Sequence, residues 1–303
     1  MFRPFIKAMR YLGVLFIILL VIGEIDQFTY GPVVNLQNEQ GPLPPRADVL
    51  APGFRMRVPE ILDRNRHDLV SLGSAFAIND SGDWATAKHV SRDCAALVVL
   101  EAGEQRGYPV KMVIDHPRTD LSVLVTGGSF DSLTIADRDP GTDEVGYFIG
   151  YPQGDPASVE ANYLGRDAVD VVDDLDPGRP PERLQGDYWV ESRRVPNFSG
   201  SLGGMSGGPV LDGAGDVIGV TVAEEPRRGR VISVTPERLA ELLRGAGSKG
   251  WRSANEALGR GTPPVVSDSN IRQYGNDLRN KTRVAEVWCY GFRRGVQPRR
   301  PRL

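Results

Sequence analysis

Short apolar segments alternate with turn-forming residues over most of this 303-residue chain, and their spacing limits the fold more than any other feature. Residues 69–78 (LVSLGSAFAI) have the length and composition of a strand, and 79–83 (NDSGD) form a turn cluster. Further segments of strand length occupy 84–90, 95–101, 108–114, 121–126, 144–150, 168–172, 188–192, 209–211, 217–222 and 230–234. Because no helical pattern of 10–15 residues separates these segments, the sequence predicts an all-β barrel or sandwich fold in two units.

One short helix is predicted after the last strand. Thr235, Pro236 and Glu237 have the chemistry of an N-cap, a first-turn proline and a first-turn acid, and the helical pattern ends near Arg244. The composition, 40% hydrophobic and 25% charged, is that of a globular protein. A net charge of -3 gives no reason to expect a nucleic-acid partner.

The N-terminus has the layout of a secretory signal. Arg3, Lys7 and Arg10 precede the uncharged run 11–23 (YLGVLFIILLVIG). Residues 24–27 (EIDQ) contain no small-residue cleavage site, so we expect an uncleaved signal anchor, although the run is shorter than the ~20 residues that span a bilayer. A cleaved signal peptide is the alternative. The basic residues place the N-terminus in the cytoplasm and the rest of the chain on the periplasmic or secreted side of the inner membrane.

The predicted organisation has four parts. Residues 1–23 are the signal anchor or signal peptide, 24–55 a proline-rich linker, 56–247 the folded domain, and 248–303 a polar tail with a basic end. The acidic stretch 154–191 is expected to be a solvated loop, because it lacks the D-x-D-x-D-G spacing of calcium loops. No metal and no cofactor are expected.

The two cysteines allow one intramolecular pairing. In an oxidising compartment, a disulfide between Cys94 and Cys289 would tie the C-terminal tail to the region near His89. Two free buried thiols are the alternative.

Four glycines surround Ser206 in the segment 203–209 (GGMSGGP). Glycine permits positive φ and close approach of another backbone. A turn of this kind can therefore expose Ser206 Oγ while the amides of Gly204 and Ser206 point at one spot, which is the geometry of an oxyanion hole. A plain hairpin turn is the alternative.

A nucleophilic serine needs a base within hydrogen-bond reach, and imidazole is the usual one. Of the three histidines, His67 lies in a polar segment and His116 in a loop. His89 ends the apolar segment 84–90, where a strand would hold its ring firmly, so we expect His89 to be the base.

A carboxylate must orient the imidazole, and it should sit at a strand edge. Asp120 meets this requirement because it precedes the segment 121–126, and Asp115 is the alternative. The serine also fits the G-x-S-x-G pattern of α/β-hydrolases, which place their histidine after the serine. No histidine follows Ser206, so that class is excluded.

The order His89, Asp120, Ser206 and the motifs TAKH, TDLSVL and GMSGGP together resemble the chymotrypsin-like (trypsin-like) serine peptidases. The short spacings and the lack of a cysteine framework resemble most the bacterial HtrA/Deg branch. The resemblance covers roughly 69–244. It implies a double six-stranded β-barrel, with barrel one ending near residue 130 and the site in the cleft between the barrels.

The resemblance also implies roles for the motif residues. Ser206 would attack the scissile carbonyl, His89 would act as base and then as acid, and Asp120 would orient His89. The amides of Gly204 and Ser206 would form the oxyanion hole. The residues at the positions of the substrate pocket carry no charge, which favours a small or medium apolar substrate side chain; they are Gly200, Thr221 and Ala223.

Two features depart from relatives of this kind. Met205 stands where trypsin has the aspartate that pairs with a newly cleaved N-terminus, which argues against that route of activation. The stretch 248–303 is too short and too polar for a PDZ domain.

The function implied is that of a serine endopeptidase that cuts extracytoplasmic proteins or peptides. A catalytically silent, protease-like binding protein and a peptidase that mainly cleaves itself are the alternatives.

Overall fold

A computed structural model describes residues 50–57, 70–101, 107–171, 182–254 and 265–292. The predicted anchor, most of the predicted linker, His67 and the basic end of the tail lie outside these ranges. Within them, no helix combines the length and the apolar character needed to cross a membrane.

The described residues are mainly β-structure. In chain order, the strands are β1 (Arg55–Arg57), β2 (Val70–Ala77), β3 (Asp83–Thr86), β4 (Cys94–Leu100), β5 (Gly107–Pro109), β6 (Met112–Asp115), β7 (Ser122–Val125), β8 (Thr134–Ile135), β9 (Val145–Gly150), β10 (Ala157–Val171), β11 (Glu182–Val195), β12 (Pro209–Leu211), β13 (Val217–Glu225), β14 (Arg230–Val234), β15 (Arg252–Ser253) and β16 (Val284–Phe292). The helices are α1 (Lys88–Ser91), α2 (Pro236–Gly245) and α3 (Ile271–Asn280), with short 3-10 turns at Pro152–Gly154 and Pro226–Arg228.

The strands form two eight-stranded sheets. The first has the order β1-β6-β7-β3-β2-β16-β4-β5, and all its pairings are antiparallel. The second has the order β12-β9-β10-β11-β14-β13-β8-β15, and β12 also pairs with β13. This extra pairing closes six strands of the second sheet into a barrel, whereas the first sheet is open. The predicted all-β fold in two units is confirmed.

Each sheet has a fully buried tryptophan at its centre. The indole of Trp84 donates to Thr126 Oγ1 at 3.1 Å, and the indole of Trp189 donates to Ser233 Oγ at 2.9 Å. A buried indole needs such an acceptor, while its ring supplies a large apolar area. Both tryptophans therefore add a large apolar area to the core with the indole nitrogen paired.

Helix α2 matches its prediction. Thr235 is the N-cap, and its side chain accepts from the Arg238 amide at 3.3 Å. Leu239, Leu242 and Leu243 are fully buried on the face that packs against the core.

The tail differs from its prediction, because the folded domain does not end at Gly247. Strand β16 lies between β2 and β4, with Val284 opposite Phe76 and Trp288 opposite Val98. Without β16, the facing edges of β2 and β4 would carry unpaired backbone groups in the middle of the sheet. The described part of the tail is therefore integral to the first sheet.

A disulfide joins Cys94 on β4 to Cys289 on β16 across 195 residues of sequence. It links the C-terminal strand covalently to the strand that follows α1.

The acidic stretch 154–191 also differs from its prediction. Most of it forms a hairpin of β10 and β11 instead of a solvated loop. Arginines on the same hairpin neutralise the acids: Arg166 contacts the fully buried Asp187 at 2.8 Å, and Arg193 contacts Glu160 at 2.8 Å. Among the described residues, no cluster of histidine, cysteine or acidic side chains could hold a metal ion.

Candidate active site

His89 and Asp120 meet beside the first sheet. His89 lies on α1, a single helical turn that begins two residues after β3, and not at the end of a strand as predicted. Its Nδ1 lies 2.6 Å from Asp120 Oδ2, and its backbone amide donates to Asp120 Oδ1 at 2.9 Å. The Lys88 amide donates to the Asp120 backbone carbonyl at 3.2 Å. Asp120 therefore holds both the backbone and the ring of His89.

Asp120 is buried, and His89 is partly open to solvent. The side chain of Asp120 is 4% exposed and that of His89 is 36% exposed. Burial raises the pKa of Asp120, but the charge of His89, its two hydrogen bonds and the charge of Lys88 outweigh burial and lower the pKa below its usual value. The carboxylate is thus ionised at neutral pH and can stabilise a protonated imidazole.

Asp115, the alternative carboxylate, is engaged elsewhere. It accepts two hydrogen bonds from Arg57, each 2.7 Å long, and one from Ser122 Oγ at 2.6 Å. The structure brings Asp120, and not Asp115, to His89.

His116 is a buried structural residue. Its Nδ1 accepts from the Arg118 amide at 3.1 Å, and Phe54 packs edge-on against its ring. Burial lowers the pKa of His116 to about 4, although the nearby carboxylate of Glu241, 3.5 Å from Nε2, opposes this shift. His116 is therefore neutral at neutral pH.

The serine-bearing loop packs directly against the elements that lead to His89. Ser206 is half-buried, and Gly204 and Gly207 have φ values of +96° and +87°. A Cβ at Gly207 would lie 2.1 Å from Ser74 O and 2.2 Å from Thr86 Oγ1, so no other residue fits there. Since Ser74 is on β2 and Thr86 ends β3, the loop sits where the two sheets meet.

The first predicted oxyanion donor is the amide of Gly204. The carbonyl of the same peptide unit, Gly203 O, accepts from the Gln153 amide at 2.6 Å. The N–H and C=O of a trans peptide point in opposite directions, so this contact directs the Gly204 N–H away from Gln153.

The second predicted donor, the amide of Ser206, is fixed in the same way. Met205 O accepts from the Gly208 amide at 2.9 Å, which orients the peptide unit that carries the Ser206 N–H. Among the residues that the structure describes, none accepts a hydrogen bond from the amide of Gly204 or Ser206.

Met205 anchors the loop in the core. Its side chain is fully buried in an apolar cluster with Leu202, Val210 and Ile218. A hydrophobic contact thus holds the loop at the position where an ion pair does so in trypsin.

Sequence reasoning missed Ser74, a residue of β2 in the first sheet that contacts the serine-bearing loop. Its amide donates to Ser206 O at 2.8 Å, and its Oγ donates to Gly204 O at 2.8 Å while accepting from the Tyr151 amide at 3.0 Å. Ser74 is fully buried. A serine among the mainly apolar residues of β2 was the available signal, because a buried hydroxyl needs partners.

The predicted pocket residues lie on both sides of this loop. Thr221 is buried and its carbonyl accepts from the Gly207 amide at 2.7 Å, while Ala223 is half-buried and Gly200 is exposed. Charged groups contact the segment from Gly200 to Leu202: Arg194 Nη1 donates to Gly200 O at 2.6 Å, and Glu224 accepts from Ser201 Oγ and the Leu202 amide. The pocket residues themselves carry no charge, as the sequence shows, but charged side chains contact the neighbouring segment.

Two mainly antiparallel β units, one bearing a histidine–carboxylate pair and the other a glycine-flanked serine, resemble the architecture of trypsin-like peptidases. Residues 73–220 match the family model for the trypsin-like peptidase domain. Over these residues, the chain is therefore similar to the trypsin-like peptidase domain.

Curated relatives agree with this assignment. A probable periplasmic serine endoprotease DegP-like from Chlamydia trachomatis is 29% identical over 175 residues, which cover 54% of this chain and 30% of the relative. The protein of the same description from Brucella suis is 27% identical over 213 residues, which cover 66% of this chain and 37% of the relative. The chain thus spans about a third of the length of these relatives.

Solved structures with a similar fold include the active form of the Rv3671c protease from M. tuberculosis. It is 20% identical with a TM-score of 0.47, and the match covers 74% of this chain and 89% of that one. The MamO protease domain from Magnetospirillum magneticum is 15% identical with a TM-score of 0.43, covering 64% and 97% of the two chains.

Proposed function

We propose that this protein is a serine endopeptidase with Ser206 as nucleophile, His89 as general base and acid, and Asp120 as the residue that orients His89. The contact between His89 Nδ1 and Asp120 Oδ2 at 2.6 Å carries the proposal, because it joins a buried, ionised carboxylate to a partly exposed imidazole. With Nδ1 on Asp120, Nε2 is the ring nitrogen that takes the serine proton.

The reaction follows from these roles. Ser206 Oγ attacks the carbonyl carbon of the substrate while His89 Nε2 accepts the hydroxyl proton. The imidazolium then gives this proton to the leaving amine, and the acyl group stays on Ser206. Water, deprotonated by His89, hydrolyses the acyl-enzyme and restores the serine. The amides of Gly204 and Ser206 stabilise the oxyanion in both halves of the reaction.

Protein or peptide substrates are expected on the periplasmic or secreted side of the membrane. The disulfide between Cys94 and Cys289 supports this location, since such bonds persist in oxidising compartments. The relatives' description as periplasmic and the apolar run 11–23 point the same way. An alkaline phosphatase fused after residue 57 should be active and a fluorescent protein there dark; the reverse pattern would refute the location.

The activity is tested with a fluorophosphonate probe on the full chain. Wild type should be labelled and Ser206→Ala should not, whereas Ser81→Ala, which removes an exposed serine in the turn before β3, should keep the label. Casein turnover measured on the same three proteins should follow the labelling. Equal turnover by wild type and Ser206→Ala would refute the proposal, and binding of casein without turnover by either would favour a silent binding protein.

The pocket residues Gly200, Thr221 and Ala223 stay a prediction, as does the N-terminal anchor. Of the expected double six-stranded barrel, the described residues form one closed barrel and one open sheet. Cleavage of a peptide library that varies the residue before the scissile bond would test the pocket. An anchor would keep the full chain in the membrane fraction after a high-salt wash.

A further inference from the structure

A buried arginine on α3, outside the residues that match the family model, lies close to the serine loop. Arg279 is 4% exposed, and its hydrogen-bond acceptors among the described residues are all neutral. Nη1 donates to Ala157 O at 2.9 Å and Gly150 O at 3.4 Å, and Nη2 donates to Asn276 Oδ1 at 3.0 Å. Burial lowers the pKa of Arg279 to about 10, so the group is still charged at neutral pH.

Burying a charge without a carboxylate partner costs free energy, so the buried position of Arg279 requires an explanation. The two carbonyls that Arg279 contacts are the ends of one connection, which we call the 150–157 turn. Gly150 ends β9 and Ala157 begins β10. The guanidinium centre also lies 6.0 Å from the centroid of the Tyr151 ring, within the range of a cation–π contact.

The backbone of the 150–157 turn contains an unfavourable conformation that needs stabilising contacts. Gln153 adopts a φ of +57°, a left-handed value that costs free energy in a residue other than glycine. Two hydrogen bonds hold the turn internally: the Gly154 amide donates to Tyr151 O at 3.1 Å, and the Asp155 amide donates to Pro152 O at 3.0 Å. Arg279 adds a third restraint that fixes both ends at once.

This turn sets the orientation of the Gly203–Gly204 peptide. The Gln153 amide donates to Gly203 O at 2.6 Å, and Gln153 Nε2 donates to Ser201 O at 2.9 Å. A Cβ at Gly204 would lie 2.5 Å from Tyr151 O, so the two backbones are in direct contact. A shift of the turn therefore moves the peptide whose N–H is the first oxyanion donor.

We propose that Arg279 is a positioning residue for the oxyanion hole, which it holds in place through the 150–157 turn. The proposal rests on the proposed endopeptidase function. Support for the serine-bearing loop would then come from α3, which lies outside the residues that match the family model. In trypsin, a newly cleaved N-terminus supports this loop by pairing with an aspartate. Met205 stands at that position here and cannot form such an ion pair.

Arg283 is a matched control in the same segment. It is also largely buried, and burial lowers its pKa as well. It donates to Ser132 O at 2.7 Å, and so reaches the connection between β7 and β8 instead of the 150–157 turn. Loss of Arg283 should therefore cost stability without disturbing the serine loop.

The test compares full-length wild type with Arg279→Met, Arg279→Lys and Arg283→Met. Amide hydrogen–deuterium exchange over 150–157 and 200–208 measures directly how firmly Arg279 holds these segments, and the measurement does not require catalytic activity. In Arg279→Met, exchange should be faster in both segments, while kcat and the rate of fluorophosphonate labelling fall about 10- to 100-fold and KM stays unchanged. Arg279→Lys should lie between Arg279→Met and wild type. Arg283→Met should lower Tm but keep wild-type exchange in these segments and wild-type kcat.

Wild-type exchange and labelling in Arg279→Met, or the same losses in Arg283→Met, would overturn the proposal. If Arg279→Met does not fold, Arg279→Lys is judged by the same exchange and labelling criteria. An unlabelled wild type would refute the endopeptidase function, whereas the exchange comparison would still decide whether Arg279 braces the turn.

Discussion

Asp120 accepts two hydrogen bonds from His89, one from the backbone amide to Oδ1 at 2.9 Å and one from the ring Nδ1 to Oδ2 at 2.6 Å. Both carboxylate oxygens are thus used as acceptors by one residue. The first bond fixes the single turn α1 on which His89 sits, and the second fixes the ring and its tautomer. A side chain with one acceptor oxygen cannot replace this arrangement.

We expect Asp120→Asn to lower kcat by about 10³- to 10⁴-fold, because the amide NH2 would face one of the two His89 donors and disturb the tautomer. Steady-state kinetics on a peptide substrate near pH 7 measures the effect. Asp115→Asn is the matched control: it disturbs the contacts with Arg57 and Ser122 and should cost about 1–3 kcal/mol of stability with kcat near wild type. Equal losses of kcat in the two variants would contradict the assignment.

The sequence indicated candidate residues for the site, but it gave little indication of the structure that supports them. His89, Asp120 and Ser206 could be named from the sequence because each lies in a local motif beside a strand. The choice between Asp120 and Asp115 is made by the short distances from Asp120 to His89. Strand β16 lies in the stretch that the sequence predicts to be a polar tail, and its place between β2 and β4 was not predicted. A pairing across nearly 200 residues depends on the global topology, which local periodicity does not encode.

Arg279 and Gln153 were beyond sequence reasoning for a related reason. Arg279 lies in a polar segment where an arginine is normally solvated, and only the packing of α3 buries it. Gln153 contacts the serine-bearing loop through its backbone amide and its side-chain amide, and both contacts depend on how two distant loops pack together.

Ser74→Ala should lower both stability and kcat. It leaves the buried Tyr151 amide without its acceptor and removes the donor to Gly204 O, which costs about 1–3 kcal/mol. We expect kcat to fall about tenfold, because the peptide next to the oxyanion donor is released. Urea unfolding and steady-state kinetics measure the two effects.

The control for Ser74 is Ser233→Ala, which removes another buried hydroxyl, the acceptor of the Trp189 indole, in the second sheet. It should lose similar stability with kcat unchanged. A Ser74→Ala variant with wild-type kcat would show that the hydroxyl does not position the loop.

Replacing both cysteines by serine should destabilise the protein by about 2–5 kcal/mol, because the disulfide restricts a loop of 195 residues in the unfolded chain. The urea midpoint of Cys94→Ser/Cys289→Ser should match that of wild type under a strong reductant. A midpoint equal to that of oxidised wild type would contradict the prediction.

Glu286 should make stability fall as the pH rises from about 4.5 to about 7. Burial, together with the charge of Asp155, raises the pKa of Glu286 to about 7, although the contact with Trp288 opposes the shift. Below the unfolded pKa the carboxyl is neutral in both states. As the pH rises through the folded pKa, the unfolded state has already released the proton that the native state retains, so the native state loses its advantage.

Glu286→Gln removes this titration. Relative to wild type, its unfolding free energy should rise by roughly 2 kcal/mol between pH 4.5 and pH 8, a value reduced for the partial exposure of the side chain. Urea titrations at both pH values measure it. The control is Glu144→Gln: burial raises the pKa of Glu144, but its contacts with Arg138 and the Gly141 amide lower it overall. Its contribution is thus lost only as the pH falls through the lowered pKa, so the difference from wild type should be nearly constant from pH 5 to pH 8. The same constancy in Glu286→Gln would contradict a raised pKa.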